Sequence, residues 1–152
     1  WRGGCLRCVG ARRGTARARP VHDATSGSAA GSAYSFTRTG NRWSGQAKLV
    51  PSDGAAHDEF GVSVAMDGDP ARVTVNADDD NGSVSGSAYI FTRTGNSWTE
   101  QAKLLPSDGA ANNWFGESVA LDGDTALVGA RYDDDNGNAS GSVYTFTRTG
   151  KS

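Results

Sequence analysis

Two five-residue runs, Asp78-Asp79-Asp80-Asn81-Gly82 and Asp133-Asp134-Asp135-Asn136-Gly137, hold the residues best able to do chemistry. Calcium is a hard cation that takes about six to eight oxygen ligands, often from alternating Asp or Asn positions on a loop turned by a glycine. Asp78 with Asp80, and Asp133 with Asp135, have that i, i+2 spacing, and they are the expected metal ligands. Calcium is the one cofactor they suggest. The pattern stops short of a full loop, because glycine arrives early and no further acid follows it. Asp and Asn are also natural turn residues, so a solvated acidic turn is the alternative. Three adjacent carboxylates repel one another, which favours some cation without defining an ordered site.

Other candidates offer less. A pair of catalytic carboxylates needs a set separation and one raised pKa, whereas these aspartates recur as a repeated structural element would. His22 precedes Asp23 and His57 precedes Asp58, but the counterpart of His57 is Asn112 and no nucleophile accompanies either. No enzyme is expected. Cys5 and Cys8 form a lone Cys-x-x-Cys, and a structural zinc would need two further ligands at sensible spacing. Trp114 is different: it stands at a loop end beside Phe115 where the matching residue is Glu59, and it is the candidate ligand contact, with core packing as the alternative. Asn81-Gly-Ser83 and Asn138-Ala-Ser140 fit the glycosylation pattern.

These loops are held by a repeat. Gly31 to Gly40 returns as Gly86 to Gly95 and as Gly141 to Gly150, a spacing of 55 residues each time. Residues 31 to 55 match residues 86 to 110 at 20 of 25 positions, and 60 to 97 match 115 to 152 at 25 of 38. A fixed period of this size implies a modular architecture. Within one unit, Phe115 to Leu121 alternates with period two, setting Phe115, Glu117, Val119 and Leu121 opposite Gly116, Ser118 and Ala120. Asp122-Gly-Asp124 is a tight reversal into a strand over 125 to 131, and the acidic loop follows. A third strand covers 142 to 149, and Gly95-Asn96 and Gly40-Asn41 turn the chain into a fourth, at 97 to 105 and 42 to 50. Four antiparallel strands per unit describe one blade of a β-propeller. The expected fold is therefore all-β: a partial propeller of two to three four-stranded blades. Tyr89, Phe91, Tyr144 and Phe146 share a strand face that should pack between blades, as should Trp43 and Trp98 in the fourth strands.

Charge divides the chain in two. Residues 1 to 20 carry six arginines and no acid, whereas residues 21 to 152 carry 17 acids against nine basic residues, a net of -8. An acidic repeat region disfavours nucleic acid, whose phosphates require Lys and Arg. No run approaches the roughly 18 apolar residues of a membrane-spanning helix. The Arg- and Gly-rich head, 1 to 20, has no hydrophobic period and is expected to be disordered. The remaining units are a partial blade at 21 to 56, a complete blade at 57 to 111 and a truncated blade at 112 to 152.

At Phe115-Gly116 and Val128-Gly129-Ala130-Arg131 the sequence resembles the FG-GAP repeat, the blade unit of the integrin alpha-chain propeller, and in particular its bacterial relatives with Asp-Asp-Asp-Asn-Gly loops and a Gly-Ser-x-Tyr-x-Phe strand. The resemblance covers 21 to 152. In the second copy the Val-Gly-Ala-Arg block reads Val73-Thr74-Val75-Asn76. The resemblance implies a propeller of an extracellular or cell-surface protein that binds protein or glycan partners, with adhesion as its role. It does not by itself carry calcium to the Asp-rich runs. In integrin-type repeats the calcium loop lies between the Phe-Gly strand and the Gly-Ala-Pro strand, and here that link is only Asp67-Gly-Asp69 or Asp122-Gly-Asp124. Two alternatives to adhesion are a calcium-stiffened structural repeat and an accessory propeller of a larger extracellular hydrolase. Because blades bury their faces against neighbours, the chain alone is expected to be marginal or self-associating unless further repeats cover it.

Overall fold

A computed structural model describes residues 8–11, 14–19, 30–67, 72–73 and 81–149. Every regular element among them is a strand: β1 (Cys8–Ala11), β2 (Gly14–Arg19), β3 (Ser32–Thr39), β4 (Arg42–Leu49), β5 (Met66–Asp67), β6 (Arg72–Val73), β7 (Ala88–Thr94), β8 (Ser97–Leu104), β9 (Phe115–Asp122), β10 (Thr125–Ala130) and β11 (Ser142–Thr147). They form three antiparallel meanders, β1-β2-β3-β4, β5-β6-β7-β8 and β9-β10-β11. The protein is all-β and blade-like, as the repeat requires. Among the described residues, no helix is long and apolar enough to cross a membrane.

The repeat is reproduced in detail where the sequence is most constant. Ala33 pairs with Leu49 and Ala88 with Leu104, and each ladder shifts register once, between Ser35 and Phe36 and between Ile90 and Phe91. The hairpin between each pair opens on a glycine, Gly40 at φ 60° and Gly95 at φ 63°. A glycine at the first central position suits a tight turn matched to the twist of the strands.

Consecutive sheets lie face to face through two cores. Ala33 and Leu49 of the first sheet meet Phe60, Val64, Tyr89 and Phe91 of the second; Ala88 of the second meets Phe115, Val128 and Ala130 of the third. Phe60 and Phe115 are both 0% exposed. Each packs edge-on against an aromatic pair of its own sheet, Phe60 on Tyr89 and Phe91, and Phe115 on Tyr144 and Phe146. Burying one such ring is worth about 1.5–3 kcal/mol, and an edge-to-face pair adds about 0.5–1.5 kcal/mol.

The backbone locks the same joint. The Phe60 N–H donates to the Ala30 carbonyl and the Phe115 N–H to the Ser85 carbonyl, both at 2.9 Å. This brings the phenylalanine main chain onto Gly31 and Gly86, at φ 79° and 85°. A Cβ at Gly31 would lie 2.2 Å from the Phe60 oxygen, and one at Gly86 would lie 2.0 Å from the Phe115 oxygen. Glycine before the Ser-x-Tyr strand and Phe-Gly in the next unit are thus two halves of one joint.

Two expectations are corrected. The head was expected to be disordered, yet β1 pairs with β2, and β2 pairs with β3 from Thr15↔Phe36 to Arg19↔Ser32. An open edge at β3 can be satisfied by backbone groups alone, so no hydrophobic period was needed to call a strand there. The rest of the head, including Cys5, lies outside the described residues, as does His22. Trp43 was expected to pack between blades. It is 52% exposed, with the Arg38 guanidinium 6.0 Å from its ring centroid. Trp98 does pack on the first core. It faces the first sheet across that joint, whereas no described sheet stands opposite Trp43.

Candidate functional site

The described loops of the third sheet gather the side chains that departed from the repeat. The segment 112–115 runs against residues 83–85 of the sheet before it: the Asn112 N–H donates to the Ser83 carbonyl, Trp114 N–H to Val84 and Phe115 N–H to Ser85, at 2.9, 3.2 and 2.9 Å. The Tyr132 N–H, just beyond β10, donates to the Asn113 carbonyl at 3.2 Å. Two loops joined by a bond between residues 19 apart in sequence are thereby tied to one rim.

Trp114 stands on that rim, 41% exposed and at φ 55°. A bulky residue in the left-handed region is uncommon. Glu59 has the same conformation at φ 51°, as do His57 and Asn112 at 75° and 67°. The joint imposes the backbone; the side chain is free to differ. Tyr132 meets Trp114 edge-to-face at 5.4 Å, and the Arg131 guanidinium lies 4.6 Å from the Tyr132 ring centroid. Arg131 is anchored in turn to Glu117 at 2.9 Å and hydrogen-bonds the Tyr132 hydroxyl. The Glu117 carboxylate raises the Arg131 pKa further, so the cation is permanent. Beside the aromatic pair is an open groove of 430 Å³ lined by Ala111, Asn112, Trp114, Tyr132, Asp134, Asn138 and Ala139.

The acidic run is organised by a tyrosine. Asp133 is 1% exposed. Its Oδ1 accepts the Asp135 N–H at 3.1 Å and its Oδ2 accepts the Tyr144 hydroxyl. The same hydroxyl lies 2.7 Å from Asp108 Oδ1. Burial, then hydrogen bonding to the two carboxylates, drives the Tyr144 pKa far upward, so the phenol is locked as a donor. Asp135 is pushed above the ordinary carboxylate value, first by the charge of Asp133 and then by that of Asp108. In the second sheet Tyr89 donates to Asp53 at 2.9 Å, and Lys103 Nζ is 2.7 Å from the other oxygen. Burial alone would raise the Asp53 pKa, but the hydrogen bonds from Lys103 and Tyr89 outweigh it and hold it low.

Of the predicted ligands, Asp133 and Asp135 share this turn, while Asp78 and Asp80 lie outside the described residues. Asp133 spends both oxygens on the protein's own donors. Among the described residues, no group of three or more His, Cys, Asp or Glu side chains is arranged to hold a metal ion. His57 is exposed, and Asp58 beside it is buried and accepts the Ala55 N–H at 2.5 Å, a turn-closing role. Sequence reasoning missed Tyr132, Asn112, Asn138 and Asp108. Tyr132 and Arg131 were marked by the same signal as Trp114, since the corresponding residues are Ala77 and Asn76. Asp108 was marked by the Pro-Ser-Asp-Gly turn shared with Asp53.

The model of one family, described as the FG-GAP repeat, matches residues 43–91 and 98–146, nearly two thirds of the chain. Each match begins in the fourth strand of one sheet and ends in the third strand of the next, so it spans the phenylalanine-on-glycine joint. No curated protein matches the chain.

Proposed function

The chain belongs to the FG-GAP repeat family, and from that premise we propose that it is a non-enzymatic binding module whose contacts are made by the strand-end loops of its blades, in an extracellular or surface-exposed adhesion protein. One observation carries the reading. The joints between sheets are constant, down to the φ values of the loop that enters them, while the side chains on the rim of that loop change from Glu59 to an exposed Trp114. A rigid frame with variable rim residues is how loops carry recognition.

The test is binding of the folded chain, immobilised at one terminus, to a panel of purified extracellular-matrix proteins and neutral and acidic glycans. Saturable binding to any member that survives physiological salt supports the reading. A chain with a cooperative melt that binds nothing on either half of the panel overturns it.

A second reading, a calcium-stiffened repeat, is favoured by the crowding of charge at Asp135, which a cation would relieve. Under that reading calcium raises the melting midpoint as mass action requires of a ligand bound only by the folded form, and chelator reverses it. An unchanged midpoint removes it.

A further inference from the structure

We propose that the groove beside Trp114 and Tyr132 is a subsite for one neutral pyranose residue of a glycan; the inference deepens the binding-module reading and rests on it. The indole supplies an exposed apolar surface with a negative π face, against which the C–H face of a sugar ring packs. Around it stand groups suited to hydroxyls. The Asn112 and Asn138 carboxamides each offer donors and an acceptor, and Asp134 offers acceptors. The groove is of the size that small ligands occupy.

The site is built before any ligand arrives. Trp114 is fixed by its N–H bond to Val84, Tyr132 by its N–H bond to Asn113, and Asp134 by accepting the Ala139 N–H at 2.6 Å. Tyr132 is braced on one side by Trp114 and carries Arg131 over its ring. That arrangement disfavours an ammonium ligand, which needs aromatic faces turned on one point, because a cation already lies over Tyr132. Asp134 in the groove, with Asp133 and Asp135 next to it in the chain, disfavours acidic sugars. None of this is required by the repeat: the second copy has Glu59 and Ala77 in place of the two aromatics.

The experiment titrates the full chain with methyl pyranosides of glucose, galactose, mannose and N-acetylglucosamine, and with methyl glucuronide. It reads saturation transfer from protein to sugar and the Trp114 indole N–H resonance. At least one neutral pyranoside should take up saturation on one ring face and shift that resonance. Trp114→Ala should weaken it by about tenfold or more, and the glucuronide should bind more weakly than its neutral parent. Trp114→Glu, which installs the residue already accommodated at position 59, should do the same while the melt stays cooperative, separating loss of contact from loss of fold. The proposal is overturned if no neutral pyranoside moves the Trp114 resonance, or if transfer survives both variants. Binding to a protein of the panel without any pyranoside response would overturn it while leaving the binding-module reading intact; a silent panel would overturn both.

Discussion

Gly86→Ala puts the joint between sheets to a quantitative test. The added Cβ would sit 2.0 Å from the Phe115 carbonyl oxygen and 2.8 Å from its nitrogen, both main-chain atoms that no rotamer change can move aside. At φ 85° the alanine also bears left-handed strain of about 1–2 kcal/mol. Relief requires the third sheet to withdraw. That removes the 2.9 Å bond from Phe115 N–H to Ser85, at about 1–3 kcal/mol for a buried unpaired amide. It also wets part of a ring that is now fully buried, at up to about 1.5–3 kcal/mol. The total is about 4 kcal/mol or more, a large share of the 5–15 kcal/mol that is typical of a domain. Gly95→Ala is the control. At φ 63° it bears the same strain, but nothing lies within 4 Å of its Cβ, so it should cost only about 1–2 kcal/mol. Urea unfolding of both variants measures the difference. Because the loss falls on one joint of a stack, the third sheet should also melt apart from the other two. A Gly86→Ala chain as stable as Gly95→Ala, within about 0.5 kcal/mol, would refute the reasoning.

Four further outcomes follow from the acidic turns. Tyr144→Phe leaves the buried Asp133 carboxylate without its phenol donor and should cost about 1.5–3 kcal/mol in urea unfolding at neutral pH. Tyr89→Phe should cost under about 1 kcal/mol, since Asp53 keeps Lys103. The raised pKa of Asp135 means that its protonated form favours the folded state; this contribution is present below the unfolded value and lost as pH rises through the folded one. Asp135→Asn should therefore melt higher than wild type at pH 7 without calcium, and the gap should close near pH 3, below about 3.9. The depressed pKa of Asp53 gives the opposite sign: its stability is present above the ordinary value of 3.8 and lost as pH falls through the folded value, so Asp53→Asn should flatten the acid limb of a melting-temperature profile.

Much of the frame was legible because the repeat acts as its own control. Alternation in Phe115 to Leu121, the Gly-Asn turns and the shared Tyr and Phe face all reappear as strands, hairpins and core, since each is a local pattern read by backbone geometry or by burial. The head was illegible for the opposite reason. Its β2 is held by ladder bonds to β3 and its β1 by bonds to β2, and hydrogen bonding to an open edge leaves no mark on side-chain periodicity. Trp43 and Trp98 occupy the same repeat position, yet only one has a described sheet opposite it, which no propensity encodes. In the site, Trp114 could be found because it broke the repeat. Asp133 reads in sequence as one of three interchangeable acids. Only the third dimension shows that it is buried under Tyr144 while Asp134 and Asp135 remain exposed.

The most direct test of the claim that the rim loops carry recognition compares two variants in one binding titration against whichever panel member the folded chain retains. Trp114→Ala alters the rim. Val143→Ser alters the open sheet face, where Val143 is 67% exposed. The account predicts that binding is lost with Trp114→Ala and kept with Val143→Ser; binding lost only with Val143→Ser would place recognition on the sheet face and contradict it.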